Sequence, residues 1–229
     1  MIQILIIILL ICFLIYALYI GVNKSFTISD YELNTSGLIR TENQIKEQYS
    51  TSELTNSYKN FTHLFWLKIR YPETGRILKH EASTTLTKDK SFIIDFHKDN
   101  AVLDISLYDS NTSAPHLHIE RSNFPINTWI FVAVVMNGNT LDLYLQNKLV
   151  ETRETASFLI NSSMYWSDII YGKDALETGT NINFSVGNAF LSAHRFFPYQ
   201  TQQNEIDRLF KDEYPLYYNS EHKYEFNVE

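Results

Sequence analysis

The sequence contains little cysteine and no excess of positive charge. Only one of its 229 residues is cysteine, and this residue, Cys12, lies in an apolar N-terminal stretch. The rest of the chain therefore has no disulfide, no thiolate nucleophile and no cysteine-based zinc site. The chain has 19 lysines and arginines against 26 aspartates and glutamates, a net charge of −7. Nucleic-acid-binding surfaces are basic, and no basic stripe occurs here, so the charge argues against a nucleic-acid partner.

Linkers and repeats are also missing. No Gly-rich segment divides the chain, and no internal repeat is visible. Hydrophobic residues make up 45% and aromatic residues 14%, which is typical of a globular protein and excludes a disordered or collagen-like one. The 207 residues that follow residue 22 (229 minus 22) can form one core that buries roughly 70% of the unfolded surface.

One long apolar run stands at the N-terminus. Residues 4–22 read ILIIILLICFLIYALYIGV and carry no charge. As a helix this run would be about 28 Å long, close to the hydrocarbon thickness of a bilayer. A cleavable signal peptide is the alternative, but the run is long for one, no Lys or Arg precedes it, and no clear A-x-A site follows. We therefore expect residues 1–23 to form a retained single-pass transmembrane anchor.

The signals for membrane orientation conflict. Lys24, Arg40 and Lys46 follow the span, whereas only the terminal amine precedes it, which favours a cytoplasmic domain. Asn-x-Ser/Thr sequons favour a lumenal domain instead. There are six of them, at Asn23, Asn34, Asn60, Asn111, Asn161 and Asn183. Because the chain is rich in Asn, Ser and Thr, several sequons are expected by chance, and the orientation stays open.

Strand patterns dominate from Asn60 onwards. Residues 24–59 are polar and form either a stalk or the first strand of the domain, and residues 60–229 form the domain itself. The segments NFTHLFWLKIRY, SFIIDFHK, AVLDISLYD, HLHIERS and NTWIFVAVVMNGNTLDLYLQNKLVETRE are separated by turn residues. This spacing is typical of an all-β sandwich.

The last of these segments predicts three strands and two tight turns. Asn137-Gly138 is a strong hairpin signal, and a second turn falls at Gln146-Asn147-Lys148. Between the turns, Leu141, Leu143 and Leu145 alternate with polar residues, which predicts one buried face. Helical periodicity appears only near the end, in QTQQNEIDRLFKDEY, where the apolar residues are spaced i, i+3, i+4.

Two groups of motifs resemble one known family. FTHLFWLKI, followed by PINTWIFVAVVMNGNTLDLYLQNKLVET, resembles the laminin-G-like and concanavalin A-like lectin/glucanase jelly rolls. In that family a Trp-bearing strand leads to a W-x-x-V-A-V strand, a hairpin and L-x-L-Y-x-N-G-K. INFSVGNAFLSAHRFFPYQTQQNEIDRLFKDE is similar to the end of the family's domain. The resemblance covers residues 60–214, with Gln146-Asn147 in place of the family's Asn-Gly turn, and an Asn in the left-handed region can support such a turn.

The resemblance implies a fold and a class of function. The fold is an all-β, two-sheet antiparallel jelly-roll sandwich with one short C-terminal helix, preceded here by the transmembrane helix. Proteins of the family bind glycans or protein partners, often with calcium at one rim. Membrane-anchored single-domain forms of this Ile-, Asn- and Tyr-rich composition also resemble those of large double-stranded DNA viruses of eukaryotes. Capsid or other virion proteins are then further candidate partners.

A catalytic carboxylate pattern is not evident. The glucanase branch carries E-x-D-x-x-E or E-x-D-x-E on one strand, and glycoside hydrolysis needs two carboxylates. EIDRLF begins like that motif at Glu205 and Asp207, but Leu209 and Phe210 stand in place of the second Glu. The segment also has helical periodicity, which favours a solvated helix face over a catalytic site. The two glutamates of ETRET, Glu151 and Glu154, would face opposite ways on a strand. We therefore expect no enzyme activity.

Candidate metal ligands are sparse. His116 and His118, at i and i+2, would share one face of a strand and could form a metal pair, but no third ligand has a recognisable spacing. A half-exposed surface pair is the simpler interpretation. Asp99, Asp109 and Asn111 lie in predicted loops and could supply oxygen ligands to calcium. Turn chemistry explains these three residues equally well.

Aromatic residues give further expectations. By the family pattern Trp66 and Trp129 occupy core positions, whereas Trp166 and the tyrosines of YPLYYNSEHKY are candidates for exposed binding aromatics. The sequence as a whole predicts a membrane-anchored, noncatalytic, lectin-like interaction or structural module that recognises a glycan or a protein. A carbohydrate-active enzyme on the same fold is the alternative.

Overall fold

The structure of the chain is a computed structural model. It describes residues 31–32, 39–40, 44–45, 48–49, 54, 59–83, 88–108, 115–155, 165–175 and 183–217. The expected anchor at residues 4–22 lies outside these ranges. Within them, no helix is both long enough and apolar enough to cross a membrane.

Within the described residues, twelve strands form two antiparallel six-stranded sheets. The first sheet has the order β1 (Tyr31–Glu32), β12 (Ala189–Phe197), β3 (Asn60–Ile69), β8 (Ile130–Asn137), β9 (Thr140–Leu145), β10 (Lys148–Glu154). The second sheet has the order β2 (Ile39–Arg40), β11 (Tyr165–Tyr171), β4 (Gly75–Ser83), β5 (Lys88–His97), β6 (Val102–Leu107), β7 (Leu117–Arg121). Helix α1 spans Gln203–Tyr217. The predicted fold, an all-β sandwich with one C-terminal helix, is confirmed.

Both predicted hairpins are present, and one turn is shifted by a residue. In the β8–β9 hairpin Asn137 pairs with Thr140, so the central residues are Gly138 and Asn139 rather than Asn137 and Gly138. Gly138 has a φ of 61°, and glycine at the first central position is the requirement of a type II′ turn. In the β9–β10 hairpin the central residues Gln146 and Asn147 both have positive φ, 49° and 59°. They form the type I′ pattern that fits the twist of the strands.

The main core lies between the sheets. The inner faces of the central strands contribute aromatic and branched side chains that are fully buried. Leu141, Leu143 and Leu145 are among them, so the predicted alternation of β9 is confirmed. Part of the segment before Asn60 also packs here, because Ile45, Tyr49 and Leu54 are buried. Burial of this apolar surface is the main stabilising contribution to the sandwich.

A second apolar cluster lies on the outer face of the first sheet. Helix α1 places Ile206, which is fully buried, against this face. Trp66 stacks on Phe210 with the ring centroids 5.9 Å apart, and its indole Nε1 donates a hydrogen bond of 2.8 Å to Glu213. Glu213 also forms an ion pair with Arg195 on β12. The strands under the helix are therefore apolar on both faces. The sheet members of the cluster are Leu64, Trp66, Phe131, Ala133, Val135, Ala193 and Phe197.

Candidate functional site

Two loops meet at one end of the sandwich and hold each other in place. The β3–β4 loop contains Tyr71 and Glu73, and the turn before β12 contains Ser185 and Asn188. The side chain of Asn188 hydrogen-bonds the backbone of Tyr71 twice, accepting from its N–H at 2.7 Å and donating to its carbonyl at 3.2 Å. Paired amide bonds of this kind fix the conformation of one loop on the other. We call this region the rim.

Glu73 is the second connection within the rim. Its carboxylate accepts hydrogen bonds from the Ser185 N–H at 2.8 Å, from the Ser185 hydroxyl, and from the Asn188 side-chain amide at 2.7 Å. Partial burial by itself raises the pKa of this carboxyl. The hydrogen bonds from Ser185 and Asn188 outweigh that effect and hold the pKa of Glu73 below its ordinary value. The ionised carboxylate is therefore the form that holds the two loops together.

The rim presents apolar side chains to solvent. Tyr71 is 71% exposed and Val186 is 82% exposed, the two highest values among the large hydrophobic residues in the part of the chain that the structure describes. Beside them Arg70 lies over the ring of Phe190 at 4.8 Å, a cation–π contact. An exposed aromatic ring next to a positioned guanidinium, both on a fixed loop, can bind a ligand that offers a flat apolar face and an anionic or hydroxyl group.

The outer face of the second sheet carries a row of charged residues. Arg76, Asp95, Asp104 and Glu120 occupy directly opposite positions on β4, β5, β6 and β7. Like charges placed directly opposite in a sheet repel one another. Asp95 is neutralised by Arg76, whose Nη2 lies 3.1 Å from Asp95 Oδ2 and whose Nε contacts the other carboxylate oxygen. Among the described residues, the ion-pair partners of Asp104 and Glu120 are histidines instead.

Two histidines flank Asp104 on this face. His118 Nε2 lies 3.2 Å from Asp104 Oδ2 and 3.8 Å from Glu120 Oε1. His97 Nε2 lies 3.4 Å from the same Asp104 oxygen. His116 and His118 are both half-buried, in agreement with the simpler interpretation of a half-exposed surface pair. His116 precedes β7, and its Nε2 lies 3.0 Å from the Thr155 hydroxyl, so this side-chain partner differs from those of His118. The sequence did not reveal the true neighbours of His118 because the pairing of three strands brings them together.

Two of the three candidate calcium ligands, Asp109 and Asn111, lie outside the described residues. The third, Asp99, is exposed in the short 3₁₀ turn Asp99–Ala101 between β5 and β6. A calcium site at these residues stays a prediction.

The predicted aromatic positions agree with the structure in part. Trp66 is buried as expected, and Trp129 is half-buried against the cluster under α1. The expectation that Trp166 is exposed is wrong. Trp166 is fully buried between the sheets, with its ring 4.2 Å from that of His80 and 4.9 Å from that of Phe61. Its strand, β11, pairs with β4 in the second sheet, and Trp166 points to the inner face of that sheet.

Three buried histidines form a chain of hydrogen bonds between the sheets, and sequence analysis missed them. Tyr171 Oη lies 2.8 Å from His194 Nδ1, His194 Nε2 lies 3.0 Å from His63 Nδ1, and His63 Nε2 lies 3.1 Å from His80 Nδ1. Burial lowers the pKa of His63 and of His80 well below the ordinary value, and the neighbouring histidines add to the effect. The only signal in the sequence is alternation, since His63 stands between the inward-facing Phe61 and Phe65.

The two carboxylates of EIDRLF lie on α1, as expected. Asp207 Oδ1 accepts hydrogen bonds from Asn147 Nδ2 at 3.1 Å and from Gln203 Nε2 at 2.7 Å. Asp207 therefore attaches the start of the helix to the β9–β10 turn.

Comparisons with solved structures return the same fold at low identity. The binding domain of botulinum neurotoxin DC, solved in complex with rat synaptotagmin II, is 19% identical, with a TM-score of 0.57 over 80% of this chain and 42% of that one. A botulinum neurotoxin type C structure, from work on cell entry dependent on two ganglioside molecules, is 19% identical, with a TM-score of 0.55 over 80% and 42%. Trypanosoma rangeli sialidase is 12% identical, with a TM-score of 0.54 over 81% and 26%. At these identities the likeness shows the fold alone.

A protein-family model matches most of this chain. The chain spans less than half the length of the solved chains it matches. No curated protein matches the sequence. The model of a laminin-G family described as concanavalin A-like lectin/glucanases superfamily matches residues 43–207, which is more than half of the sequence. The chain belongs to the concanavalin A-like lectin/glucanase superfamily.

Proposed function

We propose that this protein is a membrane-anchored, noncatalytic recognition module that binds a glycan through its rim. The observation that carries the proposal is the exposure of Tyr71 on a loop that Glu73 and Asn188 hold in place. Burying so exposed an aromatic ring against a sugar face gains apolar contact, and the fixed loop loses little conformational freedom on binding. Arg70 supplies a cation at the same place.

The solved structures support a binding role by analogy. Relatives of this fold bind ganglioside, as the botulinum neurotoxin type C structure describes, and N-acetylneuraminic acid, as a serotype D structure describes. Another binds the protein synaptotagmin II. An acidic glycan matches the rim better than a neutral one, because Arg70 can pair with a carboxylate.

A glycan array tests the proposal. The domain, as a truncated chain beginning at Lys24, is applied with and without calcium, and the calcium arm also tests the ligands expected at Asp99, Asp109 and Asn111. Tyr71→Ala should weaken binding at least about tenfold, which corresponds to about 1.4 kcal/mol. Tyr199→Ala is the matched control, since Tyr199 is also exposed but follows the opposite end of β12. Equal binding by wild type and Tyr71→Ala would refute the rim as the site. Binding to a protein receptor, with binding to no glycan on the array, would mean that the ligand is a protein.

We place this domain on a membrane, and in an enveloped or membrane-containing virus particle, from the apolar residues 4–22 and the composition. Full-length protein should remain in the pellet after alkaline carbonate extraction, and the chain beginning at Lys24 should be released. A mature N-terminus at Asn23 or later would contradict the retained anchor. Mass spectrometry of purified particles tests the virion assignment, which absence of the protein would refute.

The second candidate function is carbohydrate hydrolysis. One observation favours it: Asp104 and Glu120 place carboxylate oxygens within 4.8 Å of each other, and retaining glycosidases use a carboxylate pair about 5–5.5 Å apart. Against it, both groups contact His118 on the surface of a sheet. The purified domain should release no reducing ends from β-glucans and no sialic acid from sialosides. Hydrolysis that is lost in Glu120→Gln, or in Glu205→Gln with Asp207→Asn, would establish the enzyme.

A further inference from the structure

We propose that Asp104, His118 and Glu120, with His97 as a fourth ligand, bind one zinc ion on the outer face of the second sheet. The cluster is separate from the rim and does not depend on the glycan-binding proposal. Ligand atoms of Asp104, His118 and Glu120 all lie within 4.8 Å of one another. These residues come from two adjacent strands, β6 and β7, whose register is fixed by backbone pairing.

The spacing of the ligand atoms suits a tetrahedral ion. Zinc binds imidazole nitrogen at about 2.0–2.1 Å and carboxylate oxygen at about 2.0–2.2 Å, so neighbouring ligands of one ion lie about 3.3–3.5 Å apart. His118 Nε2 and Asp104 Oδ2 are 3.2 Å apart, and His118 Nε2 and Glu120 Oε1 are 3.8 Å apart. His97 Nε2 lies 3.4 Å from Asp104 Oδ2, which is also a spacing that suits two ligands of one ion, and its side chain is half-exposed.

The surroundings of Asp104 favour a metal over simple ion pairs. In the described part of the chain, the ion-pair partners of Asp104 and Glu120 are histidines, which can also serve as metal ligands. Among the described residues, no lysine or arginine forms an ion pair with either of these two directly opposite carboxylates, whereas Asp95 in the same row has Arg76. A divalent ion would neutralise both carboxylates. Ser106 donates a 3.0 Å hydrogen bond to Asp104 Oδ1, which orients the carboxylate and leaves Oδ2 directed at the histidines.

The donor set indicates which metal binds. Two imidazole nitrogens and two carboxylate oxygens suit zinc and related transition metals, whereas calcium takes six to eight oxygen ligands. The ion would tie β7, which is the edge strand of its sheet, to β6 and β5.

Zinc titration of the full-length chain in a mild detergent tests the site. Isothermal calorimetry should give one zinc ion per chain, and cobalt should give the visible absorption of tetrahedral coordination. Changes to the groups that merely orient metal ligands cost 10–100-fold in affinity, so His118→Ala and Asp104→Asn should each weaken binding by about 100-fold or more. Calcium should give no heat at this site.

His116→Ala is the matched control. It removes a histidine two residues from His118 that bonds Thr155 and not the cluster, so zinc affinity should stay unchanged. Zinc should also raise the Tm of the wild type and of His116→Ala, but not of His118→Ala. Equal Tm values of all three in EDTA would exclude misfolding as the cause. Unchanged zinc affinity in His118→Ala would overturn the site, and unchanged affinity in His97→Ala would overturn the fourth ligand.

Discussion

The outer faces of the two sheets are built differently. On the first sheet, α1 covers Trp66, Phe131 and Val135, and these side chains are buried. On the second sheet, the corresponding face carries Arg76, Asp95, Asp104 and Glu120 in one row. One sheet therefore has apolar residues on both faces, and the other has an apolar inner face and a charged outer face.

This difference shows how a covering helix changes the sequence of the strands below it. In β8, all seven residues from Ile130 to Met136 are buried, so alternation disappears and the strand reads as a continuous apolar run. In β6 the charged and hydroxyl-bearing residues Asp104 and Ser106 alternate with the buried Leu103 and Ile105. Of the two outer faces, the covered one adds a second buried apolar cluster, and the charged one carries the candidate metal ligands.

The largest expected effect comes from the covered face. Phe131→Ala should lower the free energy of unfolding by about 3–5 kcal/mol, because it leaves a cavity between Trp66 and Phe210. His118→Ala, on the charged face, should change it by less than about 0.5 kcal/mol in EDTA. Urea unfolding followed by circular dichroism measures both. Similar losses of unfolding free energy in the two variants would mean that the two outer faces contribute equally to stability.

The ion pair under the helix should have the next largest effect. Glu213→Gln removes the charge that pairs with Arg195 but keeps an oxygen for the Trp66 indole. Breaking a fully buried pair costs about 3–5 kcal/mol, and the partial exposure of Arg195 reduces this to roughly 2 kcal/mol. The double variant Glu213→Gln with Arg195→Met should recover part of the loss, since no unpaired charge remains. A double variant that is less stable than the single one would contradict this account.

Local patterns in the sequence predicted most of the fold. The leucines of β9, the turn residues Gln146 and Asn147, and the apolar spacing of α1 each act within a few residues, and all were predicted correctly. Features that depend on strand pairing were missed. Trp166 points from β11 into the core between the sheets, and Asp104 on β6 contacts His97 on β5 and His118 on β7. The spacing of residues along the chain does not show which residues strand pairing will bring together.

The stability of the interior between the two sheets should depend on pH. His63 and His80 have pKa values lowered by burial, so the folded state holds fewer protons than the unfolded chain, whose histidines titrate near 6.5. Their contribution to stability is therefore present above about pH 6.5 and is lost as the pH falls below it. Each of the two histidines should lower the free energy of unfolding by about 1.4 kcal/mol for each pH unit below that value.

The groups in contact with this pair define the control for the pH experiment. His194 and Tyr171 are the other titratable side chains of the hydrogen-bonded chain. Within the described residues, His80 Nε2 makes no hydrogen bond of standard geometry. The backbone of Ser167 acts to raise the pKa of His80 and so opposes part of the lowering by burial. His80→Phe removes one titrating group and keeps an aromatic ring against Trp166. Between pH 7 and 5, urea midpoints of this variant should fall less steeply than those of wild type, and equal slopes would contradict the assignment.

The smallest expected effect lies at the start of α1, where the sequence resembles a catalytic motif. Asp207 accepts hydrogen bonds from Asn147 and Gln203, so Asp207→Ala should cost about 1 kcal/mol. Glu205 lies two residues earlier, and no side-chain hydrogen bond to it is seen among the described residues. Its carboxylate contributes through the helix dipole, so Glu205→Ala should cost only about 0.3–0.5 kcal/mol. Thermal unfolding at low and high salt separates the two contributions, because salt screens the dipole term and leaves the hydrogen bonds largely intact. A larger loss in Glu205→Ala than in Asp207→Ala would mean that Asp207 does not hold the helix to the β9–β10 turn.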